Sequence, residues 1–134
     1  MILGVDPGER RVGIAIADYE TRFARPLEVI DSRSIDPAAR IGEIVRELEV
    51  DRIVVGRPVG LSGSDGPAVA RQQAFVASLK ASVDVEIVES DERFTSVIAD
   101  RALRDAGRSV KQARGVRDAV AAQIILQSYL DSDL

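Results

Sequence analysis

With 134 residues, of which 46% are hydrophobic, the chain is sized for one domain over 1–134 that buries roughly two thirds of its unfolded surface, and not for two. Cysteine and histidine are both absent; this excludes thiolate nucleophiles, disulfides, Ser-His dyads and the usual zinc ligands, and leaves any metal on carboxylate oxygen, where Mg²⁺ or Mn²⁺ are suited. A net charge of −4 argues against a whole surface that binds polyanions.

In chain order, "ILGVDPGERRVGIAIAD" (Ile2 to Asp18) reads as two apolar strands joined by a polar turn, and "RPLEVID" (Arg25 to Asp31) as a third, partly exposed strand. The period then becomes helical. Asp36 followed by Pro37 signals an N-cap and first turn, and Ile41, Ile44, Val45 and Leu48 form the stripe of a helix ending near Glu49. "RIVVG" (Arg52 to Gly56) suits a buried central strand, and Arg57 to Gly66 is a Gly- and Ser-rich loop. Pro67 opens a helix through about Ala81, and Val83 to Ser90 alternates as a strand. Thr95 is placed to cap a helix that stops at Gly107, and a largely buried terminal helix runs from about Val116 to Leu130. The order β-β-β-α-β-α-β-α-α implies an α/β fold: an antiparallel β1-β2-β3 meander plus parallel strands in a mixed five-stranded sheet, with helices on both faces. That is the arrangement of ribonuclease-H-like nucleases and of actin-like ATPase half-domains.

Three groups of carboxylates fall at element ends of one sheet edge. Asp6 ends the first strand, Asp91 and Glu92 end the last, and Asp118 lies in the first turn of the terminal helix. Each has an ordinary explanation. Asp-Pro-Gly is a turn signal in which Asp6 caps the turn; Asp91 can cap the next helix, Glu92 can pair with Arg93, and Asp118 can complement a helix dipole. A shared explanation is a metal site: two divalent ions about 3.5 to 4 Å apart need bridging and flanking anionic oxygens to activate water and stabilise the leaving oxygen of a phosphodiester.

Positive charge is carried almost wholly by arginine, lysine occurring only at Lys80 and Lys111. Arginine is the better fork for phosphate, although base composition of a genome raises arginine equally well. The densest basic stretch holds Arg101, Arg104, Arg108, Lys111, Arg114 and Arg117 and leads into Asp118. It reads either as a solvated helix face or as a track for a nucleic-acid backbone.

Four ordered blocks, "DPGERRVGIAIAD", "IVVGRPVGLSGSDGP", "DERFTS" and "VRDAVAAQIILQSYLD", resemble the YqgF/RuvX family of Holliday junction resolvases and pre-16S rRNA nucleases, within the ribonuclease-H-like superfamily. The resemblance implies a metal-dependent nuclease acting on the 5′ end of pre-16S rRNA, on Holliday-junction-like DNA, or on both. It implies an acidic, metal-binding and catalytic site on Asp6, Glu92 and Asp118, with Asp91 as the alternative to Glu92, and Mg²⁺ or Mn²⁺, two ions, as cofactor. Ser96 stands where the family often has threonine, and Arg57 where an apolar residue often precedes the proline. Residues expected to meet the substrate, structured RNA or branched DNA, are Arg10, Arg57, Arg93, Arg101, Arg104, Arg108, Lys111 and Arg114. The expected setting is cytoplasmic, as a monomer or homodimer without membrane contact, since no apolar run is long enough to span a bilayer and Met1 leads straight into a strand. Two other classes fit parts of the pattern: a catalytically idle nucleic-acid-binding regulator, and an actin-like ATPase half-domain, which lacks its second lobe in a chain of this length.

Overall fold

A computed structural model describes residues 1–57, 67–91 and 110–132. Five strands form one sheet in the order β3-β2-β1-β4-β5: β1 (Ile2–Pro7), β2 (Arg11–Ala17), β3 (Ala24–Asp31), β4 (Arg52–Arg57) and β5 (Glu86–Asp91). The β1-β2 and β2-β3 pairs are antiparallel, while β1-β4 and β4-β5 are parallel. This is the expected mixed sheet. Helices α1 (Pro37–Glu47), α2 (Pro67–Ser82) and α3 (Val110–Ser132) complete the described elements. The expected helix from Thr95 to Gly107 lies outside the described residues.

Strand alternation splits the sheet into two faces, each with its own core. On one, Leu3, Val5, Ile14, Ile16, Ile53 and Val55 pack with Ile41, Ile44 and Leu79 of α1 and α2. On the other, Ile2, Ala15, Ala17 and Val54 pack with Ala122, Ile125, Leu126 and Leu130 of α3. The floor under α3 is built from small residues, because the helix backbone runs close to the strands. A Cβ added to Gly4 would stand 2.7 Å from the Leu126 Cβ, and one on Gly13 only 1.8 Å from the Asp118 carbonyl oxygen. Polar clamps fix the helix along its axis: Gln123 Nε2 donates to the Ala24 carbonyl at 3.0 Å, and the Ala24 N–H donates to Gln127 Oε1 at 2.9 Å.

Several boundaries differ from the sequence expectation. Val83 donates its N–H to the Leu79 carbonyl, so it closes the last turn of α2 and β5 begins only at Glu86. Val83 and Val85, ahead of the strand, pack against the first core without strand pairing, and only Ile87 belongs to the β4-β5 ladder. Asp36 occupies the N-cap of α1 but makes no side-chain capping bond. At the other end of α1 the Val50 N–H reaches the Val45 carbonyl at 3.0 Å and Glu49 takes φ 53, a Schellman-type close with glutamate where glycine is usual. Helix α3 starts at Val110, six residues before the expected Val116, since Lys111, Gln112, Ala113 and Arg114 are all good helix formers.

Candidate active site at the end of strand β1

Asp6 is a strand residue rather than the corner of a turn. It lies within β1 and pairs across the ladder with Gly13 of β2, and Pro7 pairs with Val12 beyond it. The turn begins after Pro7, where the Gly8 N–H donates to the Arg11 carbonyl at 3.0 Å. Directly opposed residues of an antiparallel pair share a face; Asp6 therefore stands on the side of Gly13, Gly4 and Ile2, which is the side of α3. The small Gly13 is what admits α3: the Asp118 backbone rests immediately over it. One glycine thus joins the two carboxylate residues, one beside it on the neighbouring strand and one above it on the helix.

Asp118 is the ninth residue of α3, not part of its first turn. The helix-dipole explanation consequently fails, because that effect fades beyond the first turn. Its side chain is 19% exposed and receives Arg11, whose Nε lies 2.9 Å from Asp118 Oδ2. Arg11 shares the odd parity of Gly13 and Ala15 along β2, and this parity is the signal by which sequence reasoning could have placed it on the α3 face. Sequence reasoning singled out its neighbour Arg10 instead, which is exposed in the turn. That turn is anchored by another unforeseen residue, Ser32, whose N–H and hydroxyl both donate to the Arg10 carbonyl at 2.9 and 2.8 Å.

The third acidic position is at the same sheet edge. Val5 pairs with Val55 and Val55 with Glu89; Asp91, in register with Arg57, therefore ends β5 just past the level of Asp6. With β4 between them, the two strands are separated by roughly 10 Å. Glu89 accepts from Gln72 of α2 at 2.7 Å, which puts it on the α1/α2 side and Ser90 on the α3 side. Glu92, Arg93, Arg101, Arg104 and Arg108 lie outside the described residues; of Arg57, Lys111 and Arg114 the structure describes only the backbone, in β4 and α3.

Among the described residues no group of three His, Cys, Asp or Glu side chains is close enough to hold a metal ion; of the residues expected as ligands, Asp6 and Asp118 are the two whose side chains are described. Their chemistry fits a hard cation, since both offer carboxylate oxygen, and Asp118 already draws a positive group to 2.9 Å. A separate cavity of about 440 Å³ opens on the opposite face, lined by Pro7, Val12, Ser32, Arg71 and Phe75 among others. It includes neither carboxylate. No helix among the described residues is long and apolar enough to cross a membrane.

The comparisons with known proteins agree with this architecture. A protein of Chloroflexus aggregans named "Putative pre-16S rRNA nuclease" is 45% identical over 132 residues, covering 98% of this chain and 93% of its own. A Bacillus cytotoxicus protein of the same name is 40% identical, with 98% of both chains covered. Among solved structures, Thermus thermophilus RuvC in complex with a Holliday junction substrate superposes with a TM-score of 0.58 at 18% identity, over 96% of this chain and 92% of that one. The fowlpox virus Holliday junction resolvase gives 0.52 at 12% identity, over 99% of each chain. At such low identity these two establish the shared ribonuclease-H-like fold alone. The sequence model of the RuvX family, described as Holliday junction resolvase, matches residues 1–132, and the chain belongs to that family.

Proposed function

We propose that this chain is a divalent-metal-dependent nuclease that hydrolyses phosphodiester bonds, with Asp6, Asp118 and Glu92 as catalytic carboxylates. The observation that carries the reading is the junction at Gly13, which places Asp6 beside it and Asp118 over it. Rigid strand and helix backbones hold the two at a set spacing, as a metal site requires. Glu92 is preferred over Asp91 because its longer side chain can reach inward from the more distant strand end.

Mg²⁺ or Mn²⁺, two ions, would be held by these carboxylates and would supply Lewis acidity and an activated water. The remaining work belongs to the protein. Arg10, on the turn pinned by Ser32, and Lys111 and Arg114, seven and four residues before Asp118 on one continuous helix, are suited to bind the phosphate backbone beside the carboxylates. Arg57, Arg93, Arg101, Arg104 and Arg108 extend the same basic track by sequence. Phosphate contacts of this kind position a substrate without reading its bases.

The relatives' names support the 5′ end of pre-16S rRNA as substrate, and the family description supports branched DNA. Both are phosphodiesters. A cytoplasmic setting and a single nuclease domain over 1–134 complete the proposal. The test is to assay the protein and Asp6→Asn side by side on a four-way DNA junction and a pre-16S RNA fragment in Mn²⁺. Cleavage of at least one substrate, abolished by EDTA and lowered about 100-fold or more by the substitution at unchanged melting temperature, is the expected result. Cleavage that persists in EDTA, or an active Asp6→Asn protein, would overturn the reading; metal-independent binding without cleavage would make the protein a regulator instead.

A further inference from the structure

The site contains a cation of its own. Arg11 leaves the start of β2 on the α3 side and brings Nε to 2.9 Å from Asp118 Oδ2, in contact with a carboxylate assigned above to metal binding. The two partners differ in setting: the Asp118 side chain is 19% exposed and the Arg11 side chain 44%. The carboxylate is held in place by a helix packed on Gly13, whereas the guanidinium stands at the mouth of the site and reaches solvent. An ion pair with one such exposed member is weak and readily exchanged.

We propose that Arg11 is an exchangeable counter-cation, pairing with Asp118 when no divalent ion is bound and passing to a phosphate of the nucleic acid when a divalent ion takes that carboxylate. The inference rests on the nuclease reading and adds to it a coupling between metal and substrate. A divalent ion at Asp118 replaces an attraction for Arg11 by a repulsion between like charges. The guanidinium then has at the site mouth the geometry and charge for the incoming phosphate, for which arginine offers a planar donor fork. Because such coupling is reciprocal, the divalent ion tightens nucleic-acid binding through Arg11, and nucleic acid tightens binding of the ion by the same factor.

A simple clamp, in which Arg11 only keeps the Asp118 rotamer in place, predicts the opposite sign for one measurement. If Arg11 competes with the ion, its removal strengthens metal binding; if it merely orients the ligand, its removal weakens it. Mn²⁺ affinity is therefore measured by calorimetry, without nucleic acid, for the wild type, Arg11→Gln, Arg11→Lys and Asp118→Asn. The expected result is about three- to tenfold tighter binding by Arg11→Gln and an affinity within about twofold of wild type for Arg11→Lys, which keeps the charge. In a second measurement, the factor by which Ca²⁺ tightens binding of a four-way junction, with the DNA checked for intactness, should shrink about threefold or more in Arg11→Gln. Equal or weaker Mn²⁺ binding by Arg11→Gln, or an undiminished Ca²⁺ factor, overturns the exchange and leaves the nuclease reading standing. A wild-type protein whose Mn²⁺ binding is absent, or indifferent to Asp118→Asn, overturns both.

Discussion

The two ends of the sheet use polar residues in opposite ways. At the end where β1 begins, Tyr19 donates to Asp51 Oδ1 at 2.8 Å, Arg52 donates to the Tyr129 hydroxyl at 2.8 Å and pairs with Glu86 at 2.9 Å, and the Asp51 N–H reaches the Met1 carbonyl. Burial and the bond to Asp51 push the Tyr19 hydroxyl up to about 12. These side chains are large, and they tie β1, β4, β5 and α3 together. At the end where β1 finishes, glycine replaces the large side chain, a helix backbone descends onto the sheet, and a carboxylate meets an exposed arginine. The first end is organised as a fastening. The second provides room and charge, which is what a binding site needs and a fastening does not.

The largest effect is expected from closing the space at the second end. Gly13→Ala would force a Cβ to 1.8 Å from the Asp118 carbonyl, and backbone cannot yield as a flexible side-chain tip would. Thermal and denaturant unfolding should show a loss of about 3 kcal/mol or more, accompanied by loss of cleavage. Gly42→Ala supplies the contrast, because a Cβ there meets its nearest neighbours at 3.6 Å within helix α1. It should be neutral or stabilise by up to about 1 kcal/mol. A Gly13→Ala protein as stable and active as Gly42→Ala would remove the close approach from the account of the site.

A smaller effect is expected at the fastening end. Tyr129→Phe deletes the hydroxyl that accepts from Arg52 and should cost about 1 kcal/mol in denaturant unfolding. Cleavage should be unchanged, since this residue is at the far end of the sheet; a parallel loss of activity would show that the two ends are coupled.

The Glu28–Arg40 pair offers a control away from both ends. Arg40 donates Nε and Nη2 to the two Glu28 carboxylate oxygens, both at 2.8 Å, and this bonding holds the Glu28 carboxyl below its ordinary 4.5. A depressed carboxylate contributes stability above its unfolded value and loses it as the pH falls through the folded one. Glu28→Gln should therefore cost about 0.5 to 1 kcal/mol near pH 7, and the gap to wild type should close as the pH drops below 4.5. A gap independent of pH would assign the effect to packing. A change of similar size and opposite sign is Glu49→Gly, at φ 53, expected to raise stability by about 0.5 to 1 kcal/mol; any loss would mean that Glu49 has a role beyond closing α1.

The mixed sheet, with its antiparallel β1-β2-β3 meander and its parallel strands, was legible in the sequence, because strand and helix periods are local. Hairpin periodicity alone placed Asp6 at the end of β1, and the lack of cysteine and histidine confined any metal chemistry to oxygen ligands. Tertiary structure decided what periodicity does not encode. The alternation from Val83 suggested a strand where helix α2 is still closing, since Val83 and Val85 pack against the same core as Ile87 before strand pairing begins at Glu86. The greasy segment after Val116 suggested a helix start, although the preceding polar residues continue the same helix and carry Asp118 into its third turn. Arg11 differs from Arg10 in strand parity, which the sequence carries, but only the packing of α3 on that face brings Asp118 to it. Gly13 likewise read as one more strand glycine until a helix from more than 100 residues away came to rest on it. Such contacts depend on how elements far apart in the chain pack, and packing is set by the whole set of faces at once rather than by any one segment.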